Sequence, residues 1–160
     1  MNRINRLAIV IAASLSLATP LAAQGAGAPV TLTGDVMAEK VVLDADGKES
    51  IKLVEPTAII PGDRLVFGTD YANTGAEVVS NFVVTNPLPA AVRLAPDADP
   101  ALVVSVDDGK TFAVLAGLSV TGADGTARPA AHADVTHVRW VLARIAPGET
   151  GRLTYPAIIR

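Results

Sequence analysis

The chain has 160 residues, half of them hydrophobic, with 13 basic and 16 acidic side chains and a formal charge of −3. A mildly acidic balance without a basic run argues against nucleic-acid binding and against attraction to anionic lipid. The absence of cysteine removes thiol catalysis, disulfide stapling and a lipid-modified cysteine, so the fold must rest on its core alone.

Residues 1–23 read as a cleaved signal helix. Arg3 and Arg6 make a positive start. Residues 7–17 are an apolar run far shorter than the roughly 20 residues a spanning helix needs. Leu21-Ala22-Ala23 then offers small residues for cleavage before Gln24. The two arginines are not adjacent, which argues against a twin-arginine signal. Export to the periplasm, the cell surface or beyond is the expectation. Loss of Arg3 and Arg6 leaves 11 basic and 16 acidic residues, a charge of −5. No later stretch is apolar enough to cross a bilayer.

Residues 24–33 are rich in Gly and Ala and read as a flexible N-terminal tail, with a first edge strand at 30–32 as the alternative. Residues 34–160 read as one domain. A strand over 36–43 turns at Asp44-Ala45-Asp46-Gly47-Lys48 into a second over 50–55, an Asp-Gly hairpin signal. Pro61-Gly62-Asp63 is turn chemistry. After it Leu65, Phe67, Thr69 and Tyr71 alternate with Val66, Gly68 and Asp70, the period of two that lays one face on a core. Asn73-Thr74-Gly75 turns the chain into a strand over 78–85, and Pro87 and Pro89 end it.

Further short strands are expected at 91–94, 102–106, 111–115 and 118–120, with Asp107-Asp108-Gly109-Lys110 as a hairpin turn. Residues 121–132 form the longest loop. Over 135–142, Thr136, Val138, Trp140 and Leu142 share one face, and His137, Arg139 and Val141 the other. Pro147-Gly148-Glu149 repeats the earlier Pro61-Gly62-Asp63 turn, and Leu153, Tyr155, Ala157 and Ile159 alternate to the end. Eight to ten short strands with turn signals every 8 to 12 residues are the spacing of an all-β antiparallel sandwich. The expected core anchors are Leu65, Phe67, Tyr71, Val138, Trp140, Leu142 and Tyr155, with Trp140 the largest.

The segment from Pro61-Gly62-Asp63 through Tyr71, Asn73-Thr74-Gly75, residues 83–86 and Leu88-Pro89 resembles a bacterial conserved-repeat module, the domain of unknown function eleven. The resemblance is firm over about thirty residues and looser over 104–112 and 136–160. Asn86 stands where the family pattern has an acidic residue. The resemblance implies an immunoglobulin-like sandwich that serves as a spacer or adhesive module of surface and secreted proteins. It implies no catalytic residues.

The residues themselves offer thin chemistry. Ser50, Ser80, Ser105 and Ser119 lie outside any G-x-S-x-G elbow. His132, Asp134 and His137 form a spacing that could hold zinc or copper, but residues five apart on a strand face opposite ways. Acidic pairs at Asp44/Asp46, Asp97/Asp99 and Asp107/Asp108 lie on turns where carboxylates could converge on calcium. None completes an EF-hand loop, and Asp and Gly serve turns for backbone reasons of their own. Arg139 could pair across the sheet or take a carboxylate by its fork. No cofactor is implied. The expectation is therefore a non-enzymatic, exported sandwich contacting an unknown protein or glycan of the cell envelope. A calcium- or small-ligand-binding protein is one rival. A subunit that self-associates through edge strands, 30–32 or 153–159, is the other.

Overall fold

A computed structural model describes residues 29–43 and 45–160. The expected signal at 1–23, the first five residues of the expected tail and Asp44 lie outside the described residues. Eleven strands follow in order: β1 Val30–Leu43, β2 Glu49–Val54, β3 Arg64–Asn73, β4 Val79–Pro87, β5 Val92–Leu94, β6 Val103–Ser105, β7 Ala113–Val114, β8 Ser119–Thr121, β9 Ala127–Pro129, β10 His137–Ile145 and β11 Thr150–Ile159. Two 3₁₀ turns, Leu115–Gly117 and His132–Asp134, complete the described elements, and none of these is an α-helix. Every strand pairing is antiparallel.

The strands form a five-stranded sheet in the order β2-β1-β3-β11-β5, a four-stranded sheet in the order β4-β10-β6-β7, and the small β8-β9 ribbon. The two large sheets share one apolar cluster. Ala38, Leu65, Val92, Leu94, Tyr155 and Ala157 come from the first sheet, and Val104 and Val138 from the second. The inward residues alternate along each strand because successive side chains point to opposite faces.

Two differences from the sequence expectation follow from pairing. Residues 30–33 are strand, with Val30 opposite Asn73 and Leu32 opposite Tyr71, so the tail does not extend this far. Residues 127–129 leave the expected long loop to pair with β8, from Ser119 opposite Pro129 to Thr121 opposite Ala127.

The repeated turn has one geometry at both sites. The residue-63 amide donates to the Ile60 carbonyl and the residue-149 amide to the Ala146 carbonyl, each at 3.0 Å. In return Ile60 N–H donates to the Asp63 carboxylate at 3.0 Å, and Ala146 N–H to the Glu149 carboxylate at 2.7 Å. Gly62 and Gly148 sit at φ 95° and 74°, which the third position of a type II turn demands. Gly62 N–H then donates to Ile159 and Gly148 N–H to Asn73, at opposite ends of the β3–β11 pair. The turns thus close the two central strands as a local two-fold would.

Asn73 locks the other corner. It is 1 % exposed, and its amide donates to the Ile145 carbonyl at 3.1 Å and the Glu77 carbonyl at 2.8 Å. It ties the β3-to-β4 crossing to the β10-to-β11 crossing, so two of the passages between the large sheets share one side chain.

Candidate functional site

The core candidates divide. Leu65 is 3 % exposed, and Val138 and Tyr155 are buried with it. Phe67 stacks on Tyr155 with ring centroids 5.0 Å apart and planes within 4°. Trp140 is half-buried against the cluster, its ring tilted on Tyr155 at 6.1 Å. Tyr155, rather than Trp140, heads the fully buried side chains by volume. Tyr71 and Leu142 are half-buried outside the cluster. Tyr71 lies across Gly151, where any Cβ would meet its ring.

The metal candidates do not converge. Asp97 receives a two-toothed Arg64 guanidinium at 2.7 and 2.6 Å, which also reaches Glu39 at 2.6 Å. That guanidinium holds the Asp97 carboxyl below its usual range. Asp99 accepts the Ala101 amide at 2.8 Å, a local turn bond. Asp107 is filled by its own loop: Ser105 and Thr111 hydroxyls donate at 2.7 Å, and the Lys110 and Thr111 amides at 3.1 and 2.9 Å. The Thr111 amide first, then the two hydroxyls, hold its carboxyl well below the carboxylate range. Asp108 sits at φ 60° beside Gly109 at φ 79°, the paired positive φ of a hairpin turn.

The two histidines serve different surfaces. His137 packs over Gly109 and meets the Phe112 ring edge-on at 6.5 Å. His132 edges an apolar cleft of about 340 Å³ lined by Leu94, Leu102, Val104 and Leu115. Asp134 takes the Arg128 guanidinium at 2.7 and 2.8 Å and caps the Ala131 amide at 2.8 Å. Arg128 draws its carboxyl down to about 2. Among the described residues, no three His, Asp or Glu side chains gather where a metal ion could sit. Arg139 lies over Phe112 at 3.3 Å and donates to Thr85 at 3.1 Å, a cross-strand role with no acid.

The feature the sequence reading missed is an apolar surface. The end of β1 beyond Ala38, Glu39 to Leu43, leaves β3 and pairs only with β2, in a hairpin that overhangs the body. Val41 lies opposite Ile51, and Leu43 and Leu53 share that face, opposite Glu49 and Glu39. These four are 65, 66, 67 and 50 % exposed, respectively. Ile59 and Ile60 add exposed apolar surface in the connection to β3. On the hairpin's other face Lys40 stands opposite Lys52.

The two candidate edge segments for self-association are each paired along one side and not fully along the other. Residues 30–32 pair with β3 alone, because β2 reaches only 38–43, and β11 pairs with β3 along its length but with β5 only over 157–159. The outermost strands are β2 and β5 in the larger sheet and β4 and β7 in the smaller. Among the described residues no helix is long and apolar enough to cross a membrane. No protein-family model, no curated protein and no solved structure matches this chain.

Proposed function

We propose that this chain is an exported, non-enzymatic β-sandwich of immunoglobulin-like type, working as a structural or interaction module of the cell envelope. One observation carries the reading: Val41, Leu43, Ile51 and Leu53 present an apolar patch to solvent, edged by Glu39 and Glu49, on a hairpin that overhangs the body. An exposed apolar patch rimmed by polar residues on a folded domain marks a contact site. The resemblance to the conserved-repeat module adds to it. The residues that carry it serve architecture: Pro61-Gly62-Asp63 closes β3, Asn73 joins the two crossings, and Asn86 donates to Thr69 at 2.7 Å between sheets.

Fractionation with N-terminal sequencing is expected to find the protein outside the cytoplasm, beginning at Gln24. Immobilised exported protein is then exposed to envelope extract, with and without calcium. Retention of a discrete protein or glycan, lost when Ile51 and Leu53 are both changed to Asp, is the expected result. A reproducible catalytic activity of the purified protein would overturn the reading.

A further inference from the structure

We propose that two copies of this chain join by mutual exchange, the β1–β2 hairpin of each seating in a strand-wide gap beside β4 of the other. The inference rests on the hairpin being a contact surface and names its partner.

The gap arises because the sheets are unequal. β4 is the outermost strand of the four-stranded sheet and lies over β3, where Asn86 reaches Thr69. β1 lies one strand further out. Leu32 shares the core-facing side of β1 with Val30 and Ala38, yet it is 46 % exposed while they are buried. A groove of about 360 Å³ runs there between Leu32, Val36, Phe67, Asn86 and Pro87, with Tyr155 at its floor.

The backbone of β4 is ready to receive a strand. Leu88 N–H donates to the Thr136 carbonyl, continuing the register in which Asn86 faces Val138. Antiparallel amides alternate sides, so even-numbered residues turn theirs to β10. Val83 and Thr85 therefore turn amide and carbonyl to the open edge. Pro87 falls in the same outward set, where its missing N–H costs no ladder bond. Asn81, at φ 53°, interrupts the regular extended backbone between Ser80 and Phe82, so the regular part of the edge is 82–87.

The hairpin supplies what the gap lacks. β2 is the outermost strand of its own sheet, with six residues from Glu49 to Val54 and an unpaired outer edge. A strand added to such an edge gains main-chain hydrogen bonds while alternate side chains fill the floor. With the Val41/Ile51/Leu53 face turned onto Leu32 and Val36, Glu39 keeps its Arg64 partner, Glu49 lies toward the hairpin's free end, and Lys40 and Lys52 on the other face stay in water. Each copy carries one hairpin and one gap. Reciprocal seating satisfies both and closes at two subunits.

The test is light scattering on the purified exported protein across micromolar to submillimolar concentration. The expected result is twice the single-chain mass at the upper end. Val83→Pro removes an outward donor without touching the β10 ladder, and Ile51→Glu places a charge on the seated face. Each is expected to return the mass to one chain with an unchanged melting curve. A single-chain mass for the unaltered protein throughout, or a pair that survives both variants, overturns the proposal. Should Val83→Pro fail to fold, Ile51→Glu at its solvent-facing position decides alone. A single chain that still retains an envelope component through Ile51 and Leu53 ends the exchange and leaves the module reading intact. One that retains nothing ends both.

Discussion

Arg152 of β11 lies across Gly68 of β3, bonding Asp70 at 2.8 Å and reaching beyond it to Asp35 of β1 at 2.6 Å. Three neighbouring strands are joined on the outer face because position 68 has no side chain. A Cβ there would collide with the guanidinium and the Asp35 carboxylate. Gly68→Ala is expected to cost at most about 1 kcal/mol, because the exposed ends of Arg152 and Asp35 can swing aside at the expense of their ion pair. Arg152→Ala should cost at most about 1 kcal/mol, since exposed ion pairs contribute little. The cost of Gly68→Ala should shrink when Arg152 is already Ala, which denaturant melts of the double-variant cycle measure. Strict additivity would contradict the contact.

Asn73→Ala is expected to lower stability by about 2–3 kcal/mol. It strands the Ile145 and Glu77 carbonyls in a corner where buried polar groups need partners. Thermal unfolding checks the size. Asn73→Asp should not rescue, because a carboxylate accepts where the site requires a donor.

Tyr155→Ala should destabilise by about 3–5 kcal/mol, the cost of emptying a buried aromatic site. Trp140→Ala should cost less, because the indole is only half-buried. Urea midpoints that reverse this order would contradict the placement of the core. Burial also raises the Tyr155 hydroxyl to about 12. The unfolded chain then loses its phenolic proton first, near pH 10. Stability present below pH 10 should therefore fall as pH rises toward 12, and Tyr155→Phe should remove that part of the fall.

At the acid end the sign reverses. Asp134, held down to about 2 by Arg128, and Asp107, held lower by its loop, bind protons more weakly folded than unfolded. Their unfolded carboxyls titrate near 3.9, so the stabilisation is complete above about pH 4 and is lost as pH falls toward 2 and below. Melting temperature should be flat from pH 7 to 5 and drop below 4. Asp107→Asn should flatten part of that drop, and an unaltered acid slope in this variant would contradict the account.

Strands and turns were legible because alternation and Pro-Gly signals are local. The two turns could be seen as one solution used twice from Pro61-Gly62-Asp63 and Pro147-Gly148-Glu149 alone. Register was not legible. Asp35 and Arg152 stand 117 residues apart, and only sheet order brings them together. Trp140 and Tyr155 each look like anchors on an alternating strand, and the sequence does not say which has the opposite sheet above it. The same gap in information hid the hairpin face. Val41 and Ile51 alternate as core residues do, and periodicity identifies an apolar face without saying what covers it. Residues 127–129 were lost in a loop because Ala, Arg and Pro carry little strand preference.

The contact role of the hairpin is tested most directly by photo-crosslinking in living cells. A photoreactive amino acid replaces Ile51 in one strain and the exposed Arg144 in another. Protein adducts at position 51, to a second copy or to another envelope component, with none at 144, are the predicted result. No adduct at 51, or equal labelling at both positions, would contradict the account.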